Sequence, residues 1–292
     1  MTASTSSLRT ASTKGITVEQ VSAWVSERPP QQACIPDMRA PALKKIYTKN
    51  NETARYTYTD ATGHPLFYVV RFEPKALEPK ILAPKTFGSE GSTANKPTKM
   101  TLPLSYGSQI GAPAEWRFKK YIAPSGAKTP LYNLKELNDR PQAPILIVEG
   151  EKTADAAKQI FPEMVVTTWH GGASAVHHSD WTSLKDRKVI LWPDNDIAGK
   201  SAAQQIQSRC KYAGVKDSMI IELTFEGDQP TLPPKWDLAD ALPNGLTLED
   251  IKTKVTTTIS TLRANLSLNL SGKAPTSTPT TKTMDWDVEL GD

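Results

Sequence analysis

Val189-Ile190-Leu191-Trp192-Pro193-Asp194-Asn195-Asp196-Ile197-Ala198-Gly199-Lys200 is an apolar run that ends in two acids and turns at once towards a helix. An acid directly after a buried strand sits at the carboxyl edge of a sheet, where open α/β folds place their chemistry. Asp194 and Asp196 lie at i and i+2, so their side chains leave the strand end on one side. A lone Asp-x-Asp is ordinarily a turn, but this one closes an apolar strand and precedes a helix opened at Gly199. Ile145-Leu146-Ile147-Val148-Glu149-Gly150-Glu151 has the same form, with a glycine that lets the chain turn sharply and a ligand approach the backbone. Lys235-Trp236-Asp237-Leu238-Ala239-Asp240 is a third acidic segment, shorter and more polar. Its Asp237 and Asp240 share one face of a helical turn and alone would read as a helix start. Carboxylates converging at one sheet edge repel one another unless a cation sits between them. Hard oxygen ligands favour Mg²⁺ or Mn²⁺, and a divalent metal held by carboxylates suits work on phosphates.

The rest of the chain sets bounds on that reading. With 292 residues and 38% apolar content it has room for one large or two small domains with a real core. No apolar stretch reaches the roughly 20 residues needed to span a bilayer, so no membrane partner is expected. Residues 1–9 lack the apolar centre of a secretory signal, and a cytoplasmic location is expected. Cys34 and Cys210 are far apart, which fits a reducing compartment and excludes a Cys-based zinc finger within this chain. No zinc is expected. The net charge of +4 hides an asymmetry: residues 1–140 hold 20 Lys+Arg against 11 Asp+Glu, whereas the remainder holds 15 against 20. Either both halves are ordinary solvated surfaces, or a polyanion is gripped by the basic part and processed by the acidic part.

Along the chain, residues 1–14 are Ser/Thr-rich and expected to be disordered. Residues 15–50 form a short helical segment and linker. Thr17-Val18-Glu19-Gln20 looks like a capping box, and Val18, Val21, Trp24 and Val25 give one apolar face, which predicts a helix to about Arg28 before Pro29-Pro30. Residues 51–140 read as a basic α+β subdomain. A β-hairpin is expected from 55–59 and 65–72 around Asp60-Ala61-Thr62-Gly63-His64, and 73–115 reads as long loops with short strands. Residues 141–245 alternate strand and helix: strands at 145–149, 164–169, 188–193 and 218–223, and helices at 152–161 and about 198–213. That alternation implies an α/β domain with a mostly parallel sheet covered on both faces. A C-terminal helix is expected at about 246–266, followed at 267–292 by a flexible Ser/Thr/Pro linker and an acidic-hydrophobic tail.

Taken together, the three acidic segments resemble the Toprim domain of bacterial and phage primases, topoisomerases and some nucleases. That pattern is a Glu after the first strand and an Asp-x-Asp after the third. Val148-Glu149-Gly150-Glu151-Lys152 resembles the first motif, and Trp192 to Lys200 resembles the second, including the Ala-Gly that opens the next helix. His170-Gly171-Gly172-Ala173-Ser174-Ala175 is similar to the glycine loop of phage primase-helicases. Lys235 to Asp240 resembles the late acidic motif of primases. Upstream, Lys120-Tyr121-Ile122-Ala123-Pro124-Ser125 and Thr129 to Leu134 resemble the segment that joins the basic subdomain to Toprim in the bacterial primase core. The usual zinc-binding domain is not recognisable here. Nor is a helicase motor, since no Gly-x-x-x-x-Gly-Lys-Ser/Thr run occurs.

The resemblance implies a DNA primase-type nucleotidyltransferase that makes short RNA on single-stranded DNA, with the replicative machinery of a phage or other mobile element as its setting. Glu149, Asp194 and Asp196 are then the catalytic candidates, and with Asp237 and Asp240 they are the metal-ligand candidates. Lys152, Gly171, Gly172, Lys200 and Lys235 are candidates for binding the nucleoside triphosphates. Arg71, Trp116, Arg117, Lys119, Lys120 and Tyr121 are candidates for the single-stranded DNA template, with phosphates on the cations and bases on the rings. The same 116–121 segment also reads as an amphipathic strand burying Trp116 and Phe118, and the two readings are compatible. His177 and His178 are expected at the surface. In the tail, Trp286, Val288 and Leu290 would share one side of an extended strand and dock a replicative helicase or another replication protein. Otherwise the tail is a solubilising acidic peptide or a shield for the basic groove. Two alternatives stay open: a metal-dependent nuclease on the same fold, and a non-catalytic single-stranded DNA-binding accessory protein. A topoisomerase is not expected, because nothing resembles the domain that carries its nucleophilic tyrosine.

Overall fold

In the computed structural model, residues 24–31, 36, 43, 50–74, 99–109, 111–221, 232–233 and 235–271 are described. The first half builds an antiparallel sheet from β1 (Trp24–Ser26), β2 (Asn50–Thr59), β3 (Pro65–Pro74), β4 (Met100–Gln109) and β5 (Glu115–Arg117). Its order is β1-β4-β3-β2, with β5 also paired to β4. The expected hairpin is present, and Asp60 closes its turn by accepting the backbone N–H groups of Thr62 and His64.

Two expectations need correction. Trp24–Ser26, assigned above to the end of a helix, is a strand paired with Gly107–Gln109. Helical spacing of Trp24 and Val25 loses here to tertiary pairing, reinforced by the Trp24 indole N–H donating to Ser105 Oγ at 3.1 Å. The rest of that expected helix, and the N-terminal 1–14, lie outside the described residues. Within the stretch read as loops, Met100–Gln109 is a ten-residue strand. Pro103 and Gly107 hid it. Pro103 lies where β4 pairs only with β3, a place that tolerates a missing donor. At Gly107 a Cβ would lie 2.1 Å from the Val25 carbonyl oxygen, so only glycine admits β1 this close.

The second half is a parallel sheet of β6 (Ile145–Val148), β7 (Val165–Thr167), β8 (Lys188–Trp192) and β9 (Asp217–Ile220), ordered β7-β6-β8-β9. Around these strands run α1 (Leu134–Asp139), α2 (Glu151–Ile160), α3 (Ile197–Tyr212) and α4 (Leu248–Ser271). The chain is thus a mixed α/β protein with one antiparallel and one parallel sheet. The central strands are apolar, Ile145–Val148 of β6 throughout and Val189–Trp192 of β8, because both faces of the sheet are buried there. On one face Leu146, Val148, Ile190 and Trp192 pack with Ala154 and Phe161 of α2, Ile251 and Val255 of α4, and Tyr56, Tyr58, Phe67 and Val69 of the hairpin. On the other face Ile145, Ile147, Val189 and Leu191 pack against Ala202, Ile206 and Cys210 of α3. Helix α4 runs to Ser271, five residues into the stretch expected to be linker. No helix among the described residues is long and apolar enough to cross a membrane.

Two buried tyrosines tie the sheets together through one helix. Tyr58 donates its hydroxyl to Glu151 Oε1 at 2.8 Å, and Tyr132 donates to Asp155 Oδ1 at 3.0 Å. Glu151 and Asp155 stand one turn apart on α2, directly after Glu149, so the hairpin fixes the helix that leaves the carboxylate edge. Burial pushes the Glu151 carboxyl up, and the Tyr58 hydrogen bond works against that rise. Tyr58→Phe keeps the ring and removes the donor. It is expected to cost about 2 kcal/mol in urea denaturation, the range for leaving a buried acceptor without its partner. A loss below roughly 0.5 kcal/mol would show that water satisfies Glu151 instead.

Candidate functional site: the carboxylate edge of the parallel sheet

The topology locates a crevice before any side chain is considered. From β6 the chain crosses through α2 to β7 on one side, then returns to β8 and β9 on the other. The strand order therefore reverses between β6 and β8, and ligands of open α/β sheets bind at such a switch point, beyond the carboxyl ends of the strands. Val148 pairs with Trp192, so Glu149 and Asp194 leave neighbouring strands at the same edge.

Burial pushes the Asp194 carboxyl up to about 7, and the negative charges of Glu149, Asp237, Asp196 and Asp240 add to the effect. All five candidate carboxylates thus act on one point. Glu149 is also raised, by burial and then by Asp196, while the Ala173 backbone N–H bonded to its carboxylate pulls the other way. Asp196 caps α3 by accepting the Gly199 N–H at 2.8 Å. Gly199 has no alternative here, because a Cβ would lie 2.7 Å from the Asp194 carbonyl oxygen and 2.9 Å from its nitrogen. The Ala-Gly that opens the helix therefore serves the close fit of the Asp194 loop.

Among the described residues, no group of three or more His, Cys, Asp and Glu side chains is placed to hold a metal ion. Mg²⁺ seldom needs one. It is typically held by one or two carboxylates while water and substrate phosphates complete the octahedron. An all-oxygen set in which neighbouring acids raise Asp194 and Glu149 fits such an ion. Asp194 with Asp196 or Asp237 would be its protein ligands.

The phosphate-binding candidates surround this edge. Lys152 reaches Asp240 at 3.6 Å, so both stand on the α2 side of the crevice. Lys200 is exposed one turn into α3. Lys235 adopts φ 64° and donates its backbone N–H to the Asn195 carbonyl oxygen at 3.1 Å. Gly171 and Gly172 take φ 96° and 69°, and their loop presents the Ala173 N–H to Glu149.

The nucleic-acid candidates divide. Lys119 and Lys120 are exposed. Tyr121 is not available for base stacking: it is 6% exposed and stacks on Phe67 at 4.5 Å between ring centroids. Trp116 packs against Tyr68 and Tyr106. Arg117 pairs with Glu115 and Arg71 with Glu73. The amphipathic-strand reading describes Trp116 and Phe118, which lie against the hairpin core. In place of the rings, cations from distant segments gather. The Lys128 ammonium bonds the His177 carbonyl oxygen. His178 is held below its ordinary value by slight desolvation and then by the charges of His177, Lys120 and Lys128. Burial, and after it Lys120, pushes His170 down to about 4. Lys120 and Lys128, both exposed, thus gather beside His178, and Lys120 also acts on His170 next to the loop bonded to Glu149. Sequence spacing gave no sign of this gathering. Trp286, Val288 and Leu290 lie outside the described residues.

A family model described as a domain of unknown function (DUF6371) matches residues 107–195. No curated protein matches the sequence. Among solved structures, the Aquifex aeolicus primase (zinc-binding and RNA polymerase domains) is 15% identical with a TM-score of 0.41, the match covering 87% of this chain and 57% of that one. The DnaG catalytic core is 12% identical with a TM-score of 0.34, over 77% of this chain and 64% of that one. A chain from the structure of the bacteriophage T7 lagging-strand DNA polymerase with the primase domains of two gp4 subunits, an RNA/DNA hybrid and dTTP is 17% identical with a TM-score of 0.28. That match covers 58% of this chain and 64% of that one. The chain spans less than two thirds of the length of each of these three.

The cluster makes stability depend on pH in a defined direction. Without metal, folded Asp194 keeps its proton up to about pH 7, whereas in the unfolded chain it ionises near pH 4. The folded state binds the extra proton between these values, so stability falls as pH rises through that window. Asp194→Asn removes the effect. At pH 8 without metal the variant is expected to melt roughly 2–4 °C above the parent, allowing for solvent screening, and Mg²⁺ is expected to raise the melting temperature of the parent alone. A variant that melts lower than the parent at pH 8 would show that Asp194 is not under repulsion.

Proposed function

We propose that this chain is a primase-type nucleotidyltransferase that joins nucleoside triphosphates into short RNA on a single-stranded DNA template. The observation that carries the reading is the joining of two features: four carboxylates acting on a fifth, Asp194, at the switch point of the parallel sheet, and the Lys120 and Lys128 cations gathered near the same edge. A chemistry that handles both a polyanion and a charged phosphoryl centre needs both features.

Mg²⁺ or Mn²⁺ held by Asp194 with Asp196 or Asp237 would neutralise the charge that develops on the transferring phosphate. The chain's own residues supply the rest. Glu149, raised by burial and kept in place by the Ala173 N–H, is poised to accept a proton from an attacking hydroxyl. Lys152, Lys200 and Lys235 would bind the triphosphate. Lys119, Lys120 and Lys128 would track the template phosphates without reading sequence. Neutral His170 and the buried Tyr58 and Phe67 rings around it keep one side of the crevice apolar, which limits water at the reacting centre. The proposal extends to a replicative helicase or similar partner docked by Trp286, Val288 and Leu290, in a phage or plasmid setting and a cytoplasmic location.

A priming assay tests this. Purified protein, mixed-sequence single-stranded DNA, labelled ribonucleotides and Mg²⁺ or Mn²⁺ are expected to yield short labelled products that disappear with Asp194→Ala/Asp196→Ala. Metal-dependent loss of the DNA without products would establish the nuclease instead, and template binding with neither activity would establish the accessory protein. Lys119→Ala/Lys120→Ala is expected to weaken single-stranded DNA binding and to reduce the slope of log affinity against log salt by about 1.4. An unchanged slope would place the template elsewhere.

A further inference from the structure

Asn195 stands between the two acids that the site requires, and its side chain points away from them. Its amide nitrogen donates to the Leu232 carbonyl oxygen at 3.0 Å and to the Pro233 carbonyl oxygen at 3.2 Å. Two carbonyl acceptors admit only the NH₂ end of the amide. The main chain closes the same contact, because the Lys235 N–H donates to the Asn195 carbonyl oxygen at 3.1 Å. A few residues on, Trp236 is buried and its indole N–H bonds the Ala241 carbonyl oxygen at 3.1 Å. Asp237 then folds back, its Oδ1 accepting the Ala239 N–H at 2.6 Å. The segment bearing Asp237 and Asp240 is not part of the parallel sheet. Its path past Asp194 is set by two anchors, Trp236 in the core and Asn195 at the edge.

We infer that Asn195 is a positioning residue whose amide clamps the 232–240 segment onto the Asp194–Asp196 loop and so keeps Asp237 beside Asp194, where it can join Asp194 in holding a divalent cation. The inference rests on the metal reading given above. The central residue of the Asp-x-Asp motif thereby couples two acidic segments roughly 40 residues apart. Such residues, which hold a ligand rather than touch the ion, commonly govern affinity as strongly as some ligands do.

The isosteric substitution discriminates sharply. Asn195→Asp keeps size and shape, cannot donate, and faces two carbonyl oxygens with a negative charge. If Asn195 acted only through local electrostatics, the added charge would tighten cation binding. The clamp predicts the opposite. Full-length parent, Asn195→Asp, Asn195→Ala, Asp237→Ala and the double variant Asn195→Ala/Asp237→Ala would be titrated with Mn²⁺, followed by electron paramagnetic resonance. Hydrogen exchange of the peptides spanning 232–240 would be read beside those of β6 and β8. Both Asn195 variants are expected to speed exchange in 232–240 while the strands stay protected, and to weaken Mn²⁺ binding about tenfold. The double variant is expected to bind no more weakly than Asp237→Ala alone, because the two act through one interaction. Unchanged exchange at 232–240 would overturn the clamp. Faster exchange with unchanged Mn²⁺ affinity, tighter binding by Asn195→Asp, or multiplicative effects in the double variant would overturn its link to the ion. Failure of the metal reading itself shows elsewhere: a parent protein that binds no Mn²⁺ fails in the first titration and takes the inference with it.

Discussion

Repulsion among carboxylates at one sheet edge is the constraint around which the second half of this molecule is arranged. Asp194 is pushed up to about 7 by burial and by four neighbouring acids. A fold gains no stability from holding these groups together, and linkage says that it loses some at neutral pH. Devices that hold the acids near one another nonetheless recur. Gly199 admits the Asp194 loop against α3, Asp196 is spent partly on capping the same helix, Ala173 holds Glu149, and Asn195 ties in the segment of Asp237. Each local bond offsets part of an electrostatic cost that a bound cation would remove.

The antiparallel half is connected to that edge by more than proximity. Tyr58 and Tyr132 bond two carboxylates on α2, the helix that starts two residues after Glu149. Phe67, Tyr58 and Tyr121 surround the glycine-loop imidazole or stack beside it. Of the rings expected to meet bases, Tyr121 is packed into the core shared by the two sheets and Trp116 lies against the hairpin core. Division of labour between a basic and an acidic half is visible in the charge counts. In three dimensions two cations of the basic half, Lys120 and Lys128, lie close to the His170–His178 loop that bonds Glu149.

Much of the parallel half was legible because its signals are local. Apolar runs that end in acid, a helix opened by Ala198-Gly199 and a stop at Gly214 need only nearest neighbours to be read. The expected strand at 145–149 spans Ile145–Val148, and the helix expected from about 198 to 213 spans Ile197–Tyr212. The misses share a cause, since each depends on a partner far away in the chain. Trp24–Ser26 reads as helix until Gly107 offers it a strand to pair with. Met100–Gln109 reads as loop because Pro103 and Gly107 are penalised without knowledge of which side of β4 is occupied. Tyr121 reads as an exposed stacking ring until Phe67 covers it. Asn195 carried no signal at all, since the middle of an Asp-x-Asp motif is silent until the 232–240 segment folds beside it.

Anomalous scattering from crystals grown with Mn²⁺ tests the central claim most directly. The account predicts a Mn²⁺ peak in the crevice between the ends of β6 and β8, within ligand distance of Asp194 and of at least one of Asp196 and Asp237. A fully occupied crystal with its peak elsewhere, or no peak at saturating Mn²⁺ with the carboxylates in the same places, would contradict the claim that this edge is built around a cation.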